Sequence, residues 1–179
     1  MAHAASRFTT ALAATLACAS AGAAETAPIK PGLWEVRSDR QIDGKPAAAP
    51  TDSMKNMKPE VRAKVEAMMK QKGMAVGSSG ANHLCFTKDS LDAGRWQNSA
   101  TCKTDYGTRT ASAWKWHSVC APSGTVVDGE ALFANPENYT VSTTSTHAFR
   151  GETRTTQTTI KARWLGADCG DLKPFDPKR

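Results

Sequence analysis

The sequence predicts an α+β, mainly β fold: a curled antiparallel β-meander packed on one amphipathic helix and stapled by two disulfides. Three observations carry that reading. Residues 59–72 hold the one strong helical periodicity, and residues 112–165 alternate polar and apolar side chains between turn signals. Four cysteines follow an N-terminus of the export type.

Residues 1–24 read as a secretory signal peptide. Arg7 is the sole charged group before Glu25, an apolar stretch covers residues 8–17, and Ala19-Ser20-Ala21-Gly22-Ala23-Ala24 offers cleavage near Ala23 or Ala24. That stretch is too short for a membrane helix, which needs about 20 residues, and no later one reaches that length. No transmembrane segment is therefore expected. Thr15-Leu16-Ala17-Cys18 approaches a lipoprotein box, but Thr15 stands where a large aliphatic residue belongs, so lipidation of Cys18 is the minor alternative. The mature chain, residues 25–179, has the length of a single domain and is expected in the periplasm.

Leu33-Trp34-Glu35-Val36 opens a strand, Asp43-Gly44 suits a turn, and residues 45–52 form a Pro/Ala-rich connector. The helix follows. Pro59 fits its first position and Gly73 the position after its end. Val61, Val65, Met68 and Met69 share a face, while Glu60 with Lys64 and Glu66 with Lys70 are favourable i,i+4 pairs. A helix this short is marginal alone, so its apolar face is expected to pack against something. Gly77-Ser78-Ser79-Gly80 makes a link.

Residues 112–120 alternate, placing Trp114, Trp116 and Cys120 on one face and Lys115 and His117 on the other. Strands over residues 125–133, 139–149 and 153–165 follow at hairpin spacing. Their turns come from Pro122-Ser123-Gly124, Asn135-Pro136 and Arg150-Gly151. Threonine dominates the last two strands, being β-branched and tolerant of water.

Cys85, Cys102, Cys120 and Cys169 remain after signal removal, and in an oxidising compartment they imply two disulfides with three possible connectivities. No C-x-x-C pair occurs, so a zinc site is not expected. Cys102 and Cys120 are symmetric about Ala111, which favours that pair and, with it, Cys85 and Cys169. In the chain-entropy model the shorter loop contributes about 3 kcal/mol and a long one somewhat over 4.

Composition narrows the function classes. Loss of Arg7 with the signal lowers the formal net charge from +6 to +5, and the basic residues are scattered, so no nucleic-acid footprint is present. Met54, Met57, Met68, Met69 and Met74 read as adaptable packing rather than a copper site. His83, His117 and His147 form no metal motif, although His117 and His147 fall on strands that are candidates for neighbours. No nucleophile elbow appears, and Asp128, Glu130, Asp168 and Asp171 read as turn and cap residues. No catalytic residue, metal ligand or cofactor is assigned, and an enzyme is not expected. Trp34, Trp96, Trp114, Trp116 and Trp164 are expected to build the core, with a cavity on the concave face lined by Trp114, Trp116 and Trp164 as the alternative.

Pro31-Gly32-Leu33-Trp34-Glu35-Val36, the Pro-started helix, and Leu84-Cys85-Phe86-Thr87-Lys88 occur in that order. Ala162-Arg163-Trp164-Leu165-Gly166-Ala167-Asp168-Cys169-Gly170-Asp171-Leu172-Lys173-Pro174 closes the series. With the four cysteines, these segments resemble the bacterial exported family catalogued as domain of unknown function 3617, over nearly all of the mature chain. Phe86 stands where an aliphatic residue is usual, and Ala162 replaces a common glycine. The resemblance implies a periplasmic β-rich domain with paired cysteines, and it brings no activity, cofactor or catalytic residue. The expected function is that of a non-enzymatic envelope structural or interaction protein. Its alternative is a module that binds a small apolar or amphipathic ligand. The corresponding partner is another envelope protein or that ligand.

Overall fold

A computed structural model describes residues 27–48, 50–77, 80–92 and 101–175. The signal segment with Cys18, and Trp96, lie outside them. The order of elements is β1 (Gly32–Ile42), β2 (Lys45–Ala47), α1 (Pro50–Lys55), α2 (Pro59–Gln71), β3 (Met74–Val76), β4 (Asn82–Phe86), α3 (Lys88–Asp92), β5 (Cys102–Arg109), β6 (Ala113–Cys120), β7 (Thr125–Asn135), β8 (Asn138–Phe149) and β9 (Glu152–Gly166). The fold is α+β and mainly β.

All pairings are antiparallel, in the order β3-β4-β1-β9-β8-β7-β6-β5, with β2 paired to the end of β1. The meander β5 to β9 thus closes onto the first strand. Turn chemistry sets its register. Asp43 and Gly44 take φ of 50° and 75°, and Arg150 and Gly151 take 54° and 84°, the left-handed pairs that two-residue hairpins need. Asp43 is also tied to β9, since its Oδ1 accepts from the Thr155 N–H at 2.9 Å. At the β7–β8 turn Asn135 Oδ1 accepts from the Glu137 N–H at 2.8 Å and from Asn138 Nδ2 at 3.1 Å.

Alternation sorts the strands into two faces. One face carries Trp34 and Val36 of β1, Ala131 and Phe133 of β7, Trp114 of β6, Tyr139 of β8 and Ala162 of β9, all buried. Ala27 and Ile29 of the lead-in, Phe86 of β4 and Leu91 of α3 join this cluster. The aromatic rings meet edge-on or tilted: Trp34 lies 5.1 Å from Tyr139, and Trp114 lies 5.4 Å from Phe133. Leu91 is delivered by a reciprocal cap in which the Thr87 N–H donates to Ser90 Oγ and the Ser90 N–H donates to Thr87 Oγ1. The opposite face is polar and carries Lys115 with Glu130, His117 with Asp128, and Arg163 with Glu35.

The sulfurs of Cys85 and Cys169, and of Cys102 and Cys120, stand at disulfide distance, 2.04 and 2.01 Å. This is the pairing that the symmetry about Ala111 favours, with Cys102 directly opposite Cys120 in register.

The helix departs from expectation. Among the described residues none of α2 is buried: Val65 and Met69 are half-buried, while Val61 and Met68 are 48% and 56% exposed. Aromatic side chains already occupy the apolar sheet face, and α2 stands instead at the sheet edge, running into β3. Arg62 ties it to α1 by donating from Nε to the Met54 carbonyl at 3.1 Å and from Nη2 to the Lys55 carbonyl at 2.9 Å.

Candidate functional site

The cavity begins with the i,i+2 spacing of Trp114 and Trp116 on β6. Trp114 is 2% exposed, and its Nε1–H donates to the Thr110 carbonyl at 3.0 Å. Arg109 stacks its guanidinium over the Tyr106 ring at 3.7 Å and the Trp114 ring at 4.8 Å, clamping two aromatic walls with one cation. Trp116 is half-buried beside Gly129, its cross-strand partner, where the missing side chain makes room for the indole.

Beyond these rings lies an open cavity of about 290 Å³ lined by Val36, Leu84, Phe86, Tyr106, Trp114, Trp116, Tyr139, Val141, Ile160 and Phe175. None of these ten side chains is charged. The lining comes from β4 and β1 on one side and β5 and β6 on the other, strands far apart in sheet order, so the sheet must roll to bring them together. This is the low end of the size range of small-molecule sites, about 300–1,000 Å³.

The C-terminal tail completes the wall. Cys169 bonds it to β4, and the Phe175 N–H donates to the Cys85 carbonyl at 2.7 Å. Phe175 then meets Phe86 edge-on at 5.8 Å. The tail crosses so close to Gly73 that a Cβ there would stand 2.5 Å from the Lys173 carbonyl oxygen. Gly73, with φ of 77°, therefore ends α2 and also clears the path of the tail.

Burial raises the pKa of both phenols in the lining. For Tyr139 burial alone pushes it up; for Tyr106 burial outweighs the opposing pull of Arg109. A second cavity, of about 660 Å³, is lined by polar residues of β1, β8, β9 and the β2–α1 region, among them Ser38, Arg40, Asp52, Thr143 and Thr158.

The residues singled out in the sequence part company here. Trp114 and Trp116 line the cavity, whereas Trp164 does not: its Nε1–H donates to the Pro31 carbonyl at 3.0 Å, with Lys30 4.7 Å above its ring. His117 and His147 are separated by β7, so they are not neighbours. His117 Nδ1 lies 2.7 Å from Asp128 Oδ1 on the polar face. Asp168 accepts from the Gly170 N–H at 2.8 Å, a turn role. Among the described residues no three His, Cys, Asp or Glu side chains converge on a metal-sized site. Sequence reasoning missed the other eight lining residues: Val36, Leu84, Phe86, Tyr106, Tyr139, Val141, Ile160 and Phe175. The alternation of Leu84 with Phe86 and of Tyr139 with Val141 was a usable signal for four of the lining residues, but nothing local marks Phe175.

The model of the family described as "Protein of unknown function (DUF3617)" matches residues 29–169. The chain belongs to the DUF3617 family. Its match spans every residue of the cavity lining except Phe175. A Pseudomonas putida protein described as "uncharacterized protein in lpd-3 5'region" is 30% identical over 119 residues, covering 63% of this chain and 82% of that protein. No solved structure matches.

Proposed function

We propose that this protein is an exported, periplasmic, non-enzymatic module that holds a small apolar or amphipathic molecule in the concave cavity. The observation that carries the reading is the uncharged lining of ten aromatic and aliphatic side chains around about 290 Å³. A face that served only as core would close over these rings; here Trp116 and Phe175 stay half-buried at an opening. Export is supported by the composition of residues 1–24 and by two cysteine pairs at disulfide distance, which suit an oxidising compartment. No described helix is long and apolar enough to cross a membrane. The non-enzymatic reading is supported by where the acids and histidines sit: His117, Asp128 and Glu130 are engaged in pairs on the polar face, away from the cavity.

An envelope structural or interaction role is the second reading, favoured by the exposure of Val61 and Met68 on α2. Mass spectrometry of protein recovered gently from a bacterial periplasm separates the two. A bound mass seen under native conditions and lost on denaturation is the outcome expected for the binding module. A native spectrum empty of ligand sinks that reading and leaves the interaction role. The denatured mass also reports cleavage near Ala23 or Ala24, any lipid on Cys18, and the four missing thiol hydrogens.

A further inference from the structure

The two cavities are successive steps along the same strands. Val36, Val141 and Ile160 line the aromatic one, and Ser38, Thr143 and Thr158, each two residues on, line the polar one. Side chains two apart share a sheet face, so the change from hydrocarbon to hydroxyl occurs within about 7 Å along one continuous surface. Register runs the boundary obliquely: Ser38 shares a cross-strand row with Ile160 and Val141, and Arg40, Thr158 and Thr143 share the next with Gly129 and Trp116.

Charge gives the polar end a sign. The Arg40 side chain has no hydrogen bond or ion pair to any described residue, and it lies on the same face as Trp34 and Val36. Asp52, in the same polar lining, is already held by Lys55 Nζ at 2.6 Å; Asp39 also lines this cavity, with alternation carrying its carboxylate to the opposite face. Arg109, the other cation near the rings, is outside both linings and is engaged by Tyr106 and Trp114. Thr143 and Thr158 add hydroxyl donors in the same cross-strand row as the Arg40 guanidinium.

We propose that the bound molecule is a single-chain anionic amphiphile, with its tail against Trp114 and Trp116 and its oxygen-bearing head against Arg40, Thr143 and Thr158. The proposal rests on the ligand-binding reading above and gives it a ligand class and an orientation. A carboxylate is the simplest such head, since it accepts from a guanidinium and from hydroxyls at once. The volume of the aromatic cavity suits one chain and not two.

Dodecanoate, dodecanol and dodecanoate brominated either at its terminal carbon or next to its carboxylate test this on the intact protein by tryptophan emission. Bromine at the tail end is expected to quench more strongly than bromine beside the head. In Arg40→Gln the ratio of acid to alcohol affinity is expected to fall about tenfold, the loss of one charge-assisted contact. Equal or reversed quenching by the two bromoacids, or an unchanged affinity ratio in Arg40→Gln, overturns the orientation while leaving the cavity a binding site. Absence of binding by acid and alcohol alike overturns the binding reading and this proposal together. The bromine comparison uses the unmodified chain, so it decides the matter even if the variant folds poorly.

Discussion

The indole of Trp116 lies across the backbone of Gly129, its partner on the neighbouring strand: a Cβ at Gly129 would stand 2.1 Å from both Cε2 and Cζ2 of the ring. Glycine inside a strand ordinarily weakens it, and a cross-strand aromatic ring covering the bare backbone offsets that cost. Here the same contact sets the floor of the cavity.

Gly129→Ala is therefore expected to push the indole off β7 and into the open space. Overpacking of this kind costs about 1–3 kcal/mol, so the denaturation midpoint should fall. Ligand-dependent tryptophan emission should weaken at the same time. A variant as stable as the parent, with unchanged emission, would mean that the ring does not rest there.

The tail offers a second handle. Gly73→Ala places a methyl 2.5 Å from the Lys173 carbonyl and forces an alanine to adopt a φ of 77°. The expected result is release of residues 172–175 from β4, read as faster amide exchange at Phe175 and earlier proteolysis of the tail. Because Cys169 remains bonded to Cys85, the displacement should stop at the disulfide. Unchanged protection at Phe175 would refute the crossing.

The two disulfides should differ in what they contribute. Cys85 and Cys169 are separated by 84 positions and Cys102 and Cys120 by 18. In the chain-entropy model those closures are worth about 4.6 and about 3 kcal/mol. Replacing the longer pair with serine should lower the melting temperature more than replacing the shorter pair. The reverse order in calorimetry would show that the tail is not held as described.

Alkaline pH supplies a further test. The chain has two tyrosines, Tyr106 and Tyr139, and burial raises the pKa of both. A phenol whose folded pKa lies above its unfolded value of about 10 keeps its proton longer in the folded state. The resulting stabilisation is complete below pH 10 and is lost as pH climbs beyond it. Phenolate absorbance should thus appear only above pH 10 and should coincide with unfolding. A phenol ionising at its ordinary pH while the fold persists would contradict the burial of these walls.

Much of the fold was legible in local pattern. The Asp43-Gly44 and Arg150-Gly151 turns, the strands β6 to β9 and the shared face of Trp114 and Trp116 follow from turn chemistry and a period of two, both properties of adjacent residues. The short strand β3 was not legible, because three residues carry too little period to separate them from loop. The stripe of α2 misled for a related reason: periodicity says which side chains share a face, and it cannot say whether a partner surface is already filled.

By itself, the sequence determined the mainly antiparallel class, its hairpin register, the two-disulfide inventory and the alternation that makes one sheet face aromatic. Only the tertiary structure decided that β9 closes onto β1, that the sheet rolls until Leu84 and Trp116 line one cavity, and that Phe175 enters it while Trp164 does not. The reason is physical. Turns and alternation depend on neighbours along the chain, whereas a cavity is what remains after distant side chains compete for the same volume.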